Sequence, residues 1–463
     1  MGTKELRFYD YEIIEEAGTK YIYATHNTGL FEIDDRTFIF LQQQGKTLKE
    51  ARNTVKDLFT EEELDELIQD MIDNQFIKTE ANDELILAQS TLQAGCFIQS
   101  ITLFLAQECN LRCTYCYAED GEYDDRGLIS YETACKAVDF LIESSGEYKD
   151  LHITFFGGEP LISFPIIKEL VGYIRDKEME TGKKISLGMT TNGTLITEEI
   201  EKFLIDNQIS VQVSIDGDKE TQNANRFYAN KKGCYDTVIK NTASMREKNL
   251  LNARATLTSK QMNKRHTFYH LDSLGFRKIA ISPAYNLLSE DDYETFMDEE
   301  TKYLEELESL IKQRKFDVAM KMVIPMSELH RIHNGDVRIL PCGVGRTMYA
   351  VDIHGDVYPC QRFVSSKQYK LGNIYSGAEK RDAFLKEIEI SNHEKCANCW
   401  ARNLCVGGCP HENLSATGNT NASDEKVCKA TRRKYKELLR LYIRLTEEEK
   451  DILFSRVPVN ENK

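Results

Sequence analysis

Three absences narrow the reading of this chain of 463 residues. No apolar run approaches the roughly 20 residues that a helix needs to cross a bilayer, so no membrane partner is expected. Residues 1–7 show no basic segment leading into an apolar core, so no secretory signal is expected and the chain reads as cytoplasmic. Positive charge is in the minority, 59 Lys and Arg against 75 Asp and Glu, for a formal charge of -16. That balance repels phosphate backbones and argues against nucleic acid as a partner. Cysteine, by contrast, is plentiful. Thirteen of them in a reducing compartment should serve metals or redox chemistry rather than structural disulfides.

The first cysteine array is Cys109-Asn-Leu-Arg-Cys113-Thr-Tyr-Cys116-Tyr117, directly behind an apolar stretch at 101–106. Thiolates clustered on a tight loop bind soft metals, and an iron-sulfur cluster is the commonest product in a cytosolic enzyme. A zinc loop is the other reading, although zinc normally recruits four ligands, often as two Cys-x2-Cys pairs. Three thiolates on a four-iron cluster leave one iron open to a substrate or cofactor, whereas a fully ligated cluster only passes electrons. The second array runs Cys342, Gly355, Cys360, Cys396, Cys399, Cys405, Cys409 and Cys428. Cys96, Cys135 and Cys234 remain outside both arrays; Cys135 and Cys96 are expected to be small buried hydrophobes.

Between the arrays, strand-like segments at 101–106, 151–156, 185–191, 211–215 and 278–282 alternate with helical segments at 131–143, 164–177 and 198–207. Such alternation implies an α/β fold with a parallel sheet, whose active site gathers at the C-terminal ends of the strands. Those ends carry Gly157-Gly158-Glu159-Pro160, then Thr190-Thr191-Asn192-Gly193-Thr194, then Ser214-Ile215-Asp216-Gly217, with Arg226 downstream. Glycines let a backbone approach a ligand, a carboxylate suits an ammonium group, and an arginine fork suits a carboxylate. Ordinary strand-end capping is the alternative for the polar residues among them. An acidic helical segment at 290–314 is expected to be solvated and amphipathic, with no chemistry of its own.

The spacing Cys-x3-Cys-x2-Cys followed by an aromatic, with Gly-Gly-Glu-Pro some forty residues on, resembles the radical S-adenosylmethionine (radical SAM) enzymes. The second array resembles the SPASM extension of that family. The resemblance implies an open (β/α)6 partial barrel at 99–335, a SPASM domain at 336–440, and a C-terminal helix and tail at 441–463. It further implies S-adenosylmethionine and three 4Fe-4S clusters, and reductive cleavage of S-adenosylmethionine to a 5'-deoxyadenosyl radical. On this reading Cys109, Cys113 and Cys116 hold the cluster that binds S-adenosylmethionine, with Tyr117 beside them. Gly157, Gly158 and Glu159 meet its amino group, while Thr191, Asn192, Ser214, Asp216 and Arg226 meet the ribose or the methionine carboxylate. Cys396, Cys399, Cys405 and Cys428 go to one auxiliary cluster; Cys342, Cys360 and Cys409 go to the other, which is one thiolate short. Its open iron would capture a substrate thiol, which places Cys360 among the catalytic residues.

Residues 1–88 lack cluster cysteines and read as strands at 6–14, 20–25 and 30–33 followed by helices, at 48–59 and from Thr60, where Glu63 completes a capping box. The layout resembles the winged-helix-like leader-recognition domains fused to maturases of ribosomally made peptides, with a linker at 89–98; a DNA-binding winged helix or a mere docking domain is the alternative. As a whole the chain resembles the SPASM maturases that form thioether bridges, of the sactipeptide and ranthipeptide type. The implied partners are a precursor peptide and an electron donor such as ferredoxin or flavodoxin. A carbon-carbon cross-linking or sulfatase-maturing enzyme is the alternative, and for the latter Gln361 stands where the resemblance calls for an acidic residue.

Overall fold

The computed structural model describes residues 5–80, 97–118, 121–338 and 340–455. Cys96, most of the expected linker at 89–98 and the end of the C-terminal tail lie outside the described residues.

The first unit is an antiparallel sheet of β1 (Tyr11–Glu16), β2 (Thr19–Ala24) and β3 (Leu30–Ile33), followed by helices Asp35–Leu41, Leu48–Val55 and Glu61–Asp73. Side chains cap each helix: Asp34 accepts from the Thr37 amide, and Thr47 with Glu50 and Thr60 with Glu63 form full capping boxes. Leu6, Phe8, Ile22, Phe40, Val55, Leu64 and Met71 make a core separate from the rest of the molecule. The strand expected at 6–14 begins only at Tyr11, because Leu6 and Phe8 are drawn into that core and the chain there makes only isolated bridges, Glu5 to Thr47 and Phe8 to Ile77. The helix expected at 48–59 ends at Val55.

The second sheet has nine strands. Their ranges, with a separate two-stranded ribbon of β5 and β9, are β4 (Ser100–Ala106), β5 (Leu111–Cys113), β6 (Asp150–Gly157), β7 (Lys184–Thr191), β8 (Ser210–Ser214), β9 (Arg226–Tyr228), β10 (Leu251–Leu257), β11 (Lys278–Pro283), β12 (Met348–Val351), β13 (Asp356–Tyr358) and β14 (Gly372–Asn373). The spatial order is β11-β10-β8-β7-β6-β4-β12-β13-β14. The six strands from β4 to β11 in this sheet are parallel and separated by helices, which gives the open (β/α)6 partial barrel expected from the sequence. Alternation sets the faces: on β6 Leu151, Ile153 and Phe155 are buried among the core side chains, while His152, Thr154 and Phe156 take the opposite, less buried face.

Two further expectations need correction. The acidic segment at 290–314 is a helix, Glu290–Lys312, but it is not simply solvated: Tyr293, Phe296, Tyr303, Leu307 and Ile311 are buried, and one side packs on the helix Glu425–Arg444. Its acids meet that helix's bases, with Lys429 to Glu294 at 2.6 Å and Arg433 to Asp298 at 2.8 Å. Cys135 is half-buried rather than buried, since the helix Tyr131–Ser144 presents it near the surface. β12 pairs in parallel with β4, so the C-terminal region extends the barrel sheet, and one core runs from the barrel to Tyr435 and Leu438. No helix among the described residues is long and apolar enough to cross a membrane.

The N-terminal unit is seated on the second cysteine array. Asn403 Nδ2 donates to the carbonyls of Thr25 (2.6 Å) and His26 (3.2 Å), Thr25 Oγ1 donates to the Trp400 carbonyl (3.0 Å), and Arg402 pairs with Asp10 (2.7 Å). β1 lies against the helix Glu425–Arg444, through Lys436 to Glu12 (2.6 Å) and Arg444 to Glu16 (3.1 Å). β3 has no strand on its outer edge among the described residues.

Candidate active site

Cys109, Cys113 and Cys116 follow the C-terminal end of β4, where strand-end loops converge. The ribbon of β5 and β9 fixes this loop, with Cys113 paired opposite Arg226 and the Thr114 amide donating to the Asn225 carbonyl at 2.9 Å. Burial, reinforced by the Glu159 charge, pushes the Cys109 thiol up to about 12, and burial pushes Cys113 up to about 11. A metal bound there would displace those protons, because a coordinating thiol is deprotonated outright. No group of three or more His, Cys, Asp or Glu among the described residues is arranged to hold a metal ion as it stands. The cysteines do sort by electrostatic contact: Cys109 with Cys113 and Cys116, Cys360 with Cys342 and Cys409, and Cys396 with Cys399, Cys405 and Cys428.

Two glycines press the end of β6 against the cysteine loop. A Cβ on Gly157, whose φ is +142°, would lie 2.1 Å from the Ala106 carbonyl oxygen, and one on Gly158 would lie 2.2 Å from that of Glu108. Glu159 then turns wholly inward. Its carboxylate accepts from Thr191 Oγ1 (2.7 Å), the Asn192 amide (2.7 Å) and the Leu161 amide (3.1 Å), joining the ends of β6 and β7. Two carboxylate oxygens offer about four acceptor positions, so one stays open to a further donor. Burial wins over these bonds and pushes the carboxyl up to about 7.

Asn192 turns back on the first loop, its Nδ2 reaching Asn110 Oδ1 at 2.8 Å and lying 3.9 Å from Cys109 Sγ, while Asn110 Nδ2 donates to Thr194 Oγ1 at 2.8 Å. Asp216, fully buried beyond β8, is held from several sides: by the Tyr115 hydroxyl (2.7 Å), Arg226 Nε (3.2 Å) and the Thr256 amide (3.0 Å). Arg226 Nη1 also lies 3.8 Å from Cys113 Sγ. Ser214 is half-buried at the end of β8, level with Arg254 on β10. Tyr117 sits between the arrays, its ring 6.2 Å from His411 and under the Arg362 guanidinium at 5.6 Å. Arg362 in turn holds Glu412 at 2.8 Å and lies 3.9 Å from Cys409 Sγ.

Sequence reading missed Asn110, Tyr115, Arg254, Arg362, His411 and Glu412. Asn110 and Tyr115 lie inside the first array, Arg362 two residues past Cys360 and His411 two residues past Cys409, so proximity to the cysteines was an available signal for those four. Arg254 carried none, being one arginine in a strand.

Residues 104–259 match the model of the radical SAM superfamily, and residues 342–400 match that of SPASM, an iron-sulfur cluster-binding domain. The chain is similar to the cysteine-type anaerobic sulfatase-maturating enzyme of Clostridium perfringens (strain 13 / Type A), 28% identical over 345 residues that span 65% of this chain and 85% of that one. Similarity to the radical SAM cyclopropyl synthase TigE of Paramaledivibacter caminithermalis is lower, 22% over 484 residues, but spans 94% of this chain and 93% of the other. The solved structure of native anSMEcpe with bound AdoMet superposes with a TM-score of 0.63 at 22% identity, over 76% of this chain and all of that one, and so shares the fold. With the strand-end site just described, these findings make the chain an enzyme with a radical SAM domain and a SPASM iron-sulfur domain.

Proposed function

We propose that this enzyme installs thioether cross-links in a ribosomally synthesised precursor peptide, joining a cysteine sulfur to a carbon of an acceptor residue. The observation that carries the reading is the N-terminal unit, which holds no cluster cysteine, has its own core and leaves the outer edge of β3 without a strand partner among the described residues. A sheet edge of this kind accepts an extended peptide as an added strand, with affinity from backbone hydrogen bonds and choice from side-chain pockets.

The residues present fit the groups the reading needs. Three thiols share the first loop, two glycines leave a cradle that any Cβ would fill, and Glu159 keeps an acceptor position for an ammonium group. When bound there, S-adenosylmethionine and a 4Fe-4S cluster supply the one-electron chemistry that takes a hydrogen atom from an unactivated carbon. Arg226 offers its fork to a carboxylate while Asp216 and Tyr115 hold it in place. Cys396, Cys399, Cys405 and Cys428 would hold one auxiliary cluster, and Cys342, Cys360 and Cys409 a second that keeps one position for the substrate sulfur. The barrel excludes water and positions the acceptor carbon.

A sulfatase-maturing activity is the second reading, favoured by the 28% identity to the clostridial relative. Gln361, whose buried Oε1 has no hydrogen-bond partner among the described residues, weighs against it, because an amide is no general base. Mass spectrometry of a precursor treated anaerobically with enzyme and S-adenosylmethionine separates them. Loss of two hydrogens and of one free thiol per bridge supports the proposal, whereas loss of sulfur from the cysteine supports the alternative.

A further inference from the structure

The alternation of β10 buries Ala253, Ala255 and Leu257 among the core side chains and leaves Asn252, Arg254 and Thr256 on the opposite face, where the Thr256 amide binds Asp216. Arg254 therefore lies on the less buried face of the sheet, within electrostatic reach of Tyr115, Asp216, Arg362 and Glu412. Its guanidinium carries five N–H donors, yet its one hydrogen bond among the described residues is a long one, 3.4 Å, from Nη1 to the Ala255 carbonyl. The carboxylates around it already have partners. Asp216 is held by Tyr115, Arg226 and Thr256, Glu412 by Arg362, and Glu159 by three donors. Burial and the facing Arg362 guanidinium press the pKa of Arg254 down and outweigh Tyr115, Asp216 and Glu412, which press it up. A cation so placed is costly until an anion joins it, and a planar fork matches a carboxylate through two parallel bonds.

We propose that Arg254 receives a carboxylate of the peptide substrate and so selects peptides with an acidic group near the reacting residue. The inference rests on the peptide-modifying reading above. The carboxylate is the substrate's rather than that of S-adenosylmethionine because Arg226 already stands beside the first cysteine loop. Arg254, paired with Ser214, lies two residues before Thr256 on β10, about 7 Å back along the strand, and the affinity of its variants for S-adenosylmethionine separates the two carboxylates. Arg254 acts as a specificity residue and needs no part in bond making.

The test uses the reconstituted holoenzyme and two neutral-backbone probes, N-acetyl-aspartate amide and N-acetyl-asparagine amide, at millimolar concentration. Thermal unfolding of the wild type should shift upward with the aspartate probe only, and the Arg254→Gln enzyme should show no shift with either. Calorimetric affinity for S-adenosylmethionine should change by less than about twofold in Arg254→Gln. Equal shifts in wild type and variant would overturn the inference, as would no shift in the wild type. A loss of about tenfold or more in S-adenosylmethionine affinity would overturn it too, by moving the carboxylate to the cofactor. Should Arg254→Gln not fold, Arg254→Lys keeps the charge without the fork and should weaken the aspartate shift; an unchanged shift counts against the proposal. Product mass judges the thioether reading independently, so a sulfur-free product alongside a probe shift would sink that reading and leave Arg254 as a carboxylate site.

Discussion

Glu159 holds a proton near neutrality that a free carboxylate would release. Burial raises its pKa from 4.5 to about 7, so ionising it in the folded protein works against the fold, and its contribution to stability falls as pH rises through that window. An ammonium group at the remaining acceptor position favours the ionised form. Affinity for S-adenosylmethionine should therefore rise between about pH 6 and pH 8, with a proton released on binding. Calorimetry in buffers of different ionisation heat checks this, and Glu159→Gln should flatten the profile. The neighbouring glycine is tested by bulk rather than charge. Gly158→Ala places a Cβ against the Glu108 carbonyl at 2.2 Å, and the strain should cost about 3 kcal/mol in urea unfolding. An Ala enzyme with wild-type stability would mean that the loop moves aside.

At the scale of elements, the seat between the N-terminal unit and the residues around Trp400 depends on a buried amide. Asn403→Ala leaves the Thr25 and His26 carbonyls without their donor, at a cost of about 1–3 kcal/mol. Hydrogen exchange should then quicken in β1 and β2 while the barrel strands keep their protection, and uniform exchange across the molecule would contradict a local seat. Much of this architecture was legible beforehand. The parallel strands announced themselves through short apolar runs with helices between, and the cysteine spacing marked both arrays. What escaped was whatever depends on contacts distant in sequence. The helix Glu290–Lys312 looked solvated because its acids dominate the composition, although its apolar stripe is covered by a helix more than a hundred residues later. Tyr115 and Asp216 meet only after folding, and no local pattern in either segment foretells it.

For the molecule as a whole, the three cysteine groups of the proposed reading imply a stoichiometry. Anaerobically reconstituted enzyme should carry about twelve irons, and the variant with Cys109, Cys113 and Cys116 all replaced by Ala should keep about eight and cleave no S-adenosylmethionine. Iron analysis and chromatography of the cleavage products decide it, and retained cleavage would reassign the first loop. The variant should fold, because the second array is built from separate segments of chain and lies on the other side of Tyr117.

The seat also gives the enzyme an optical property. Trp400 is the chain's one tryptophan; it adjoins Cys399 in sequence, and its ring lies 6.0 Å from Tyr23 of the N-terminal unit. Ultraviolet emission from the whole protein therefore originates, in its tryptophan component, at the joint between the N-terminal unit and the second cysteine array. A cluster filling Cys396, Cys399, Cys405 and Cys428 would quench that emission by energy transfer over a few ångströms. A peptide that shifted the N-terminal unit would change its wavelength instead, so intensity and colour would report two different events from a single indole.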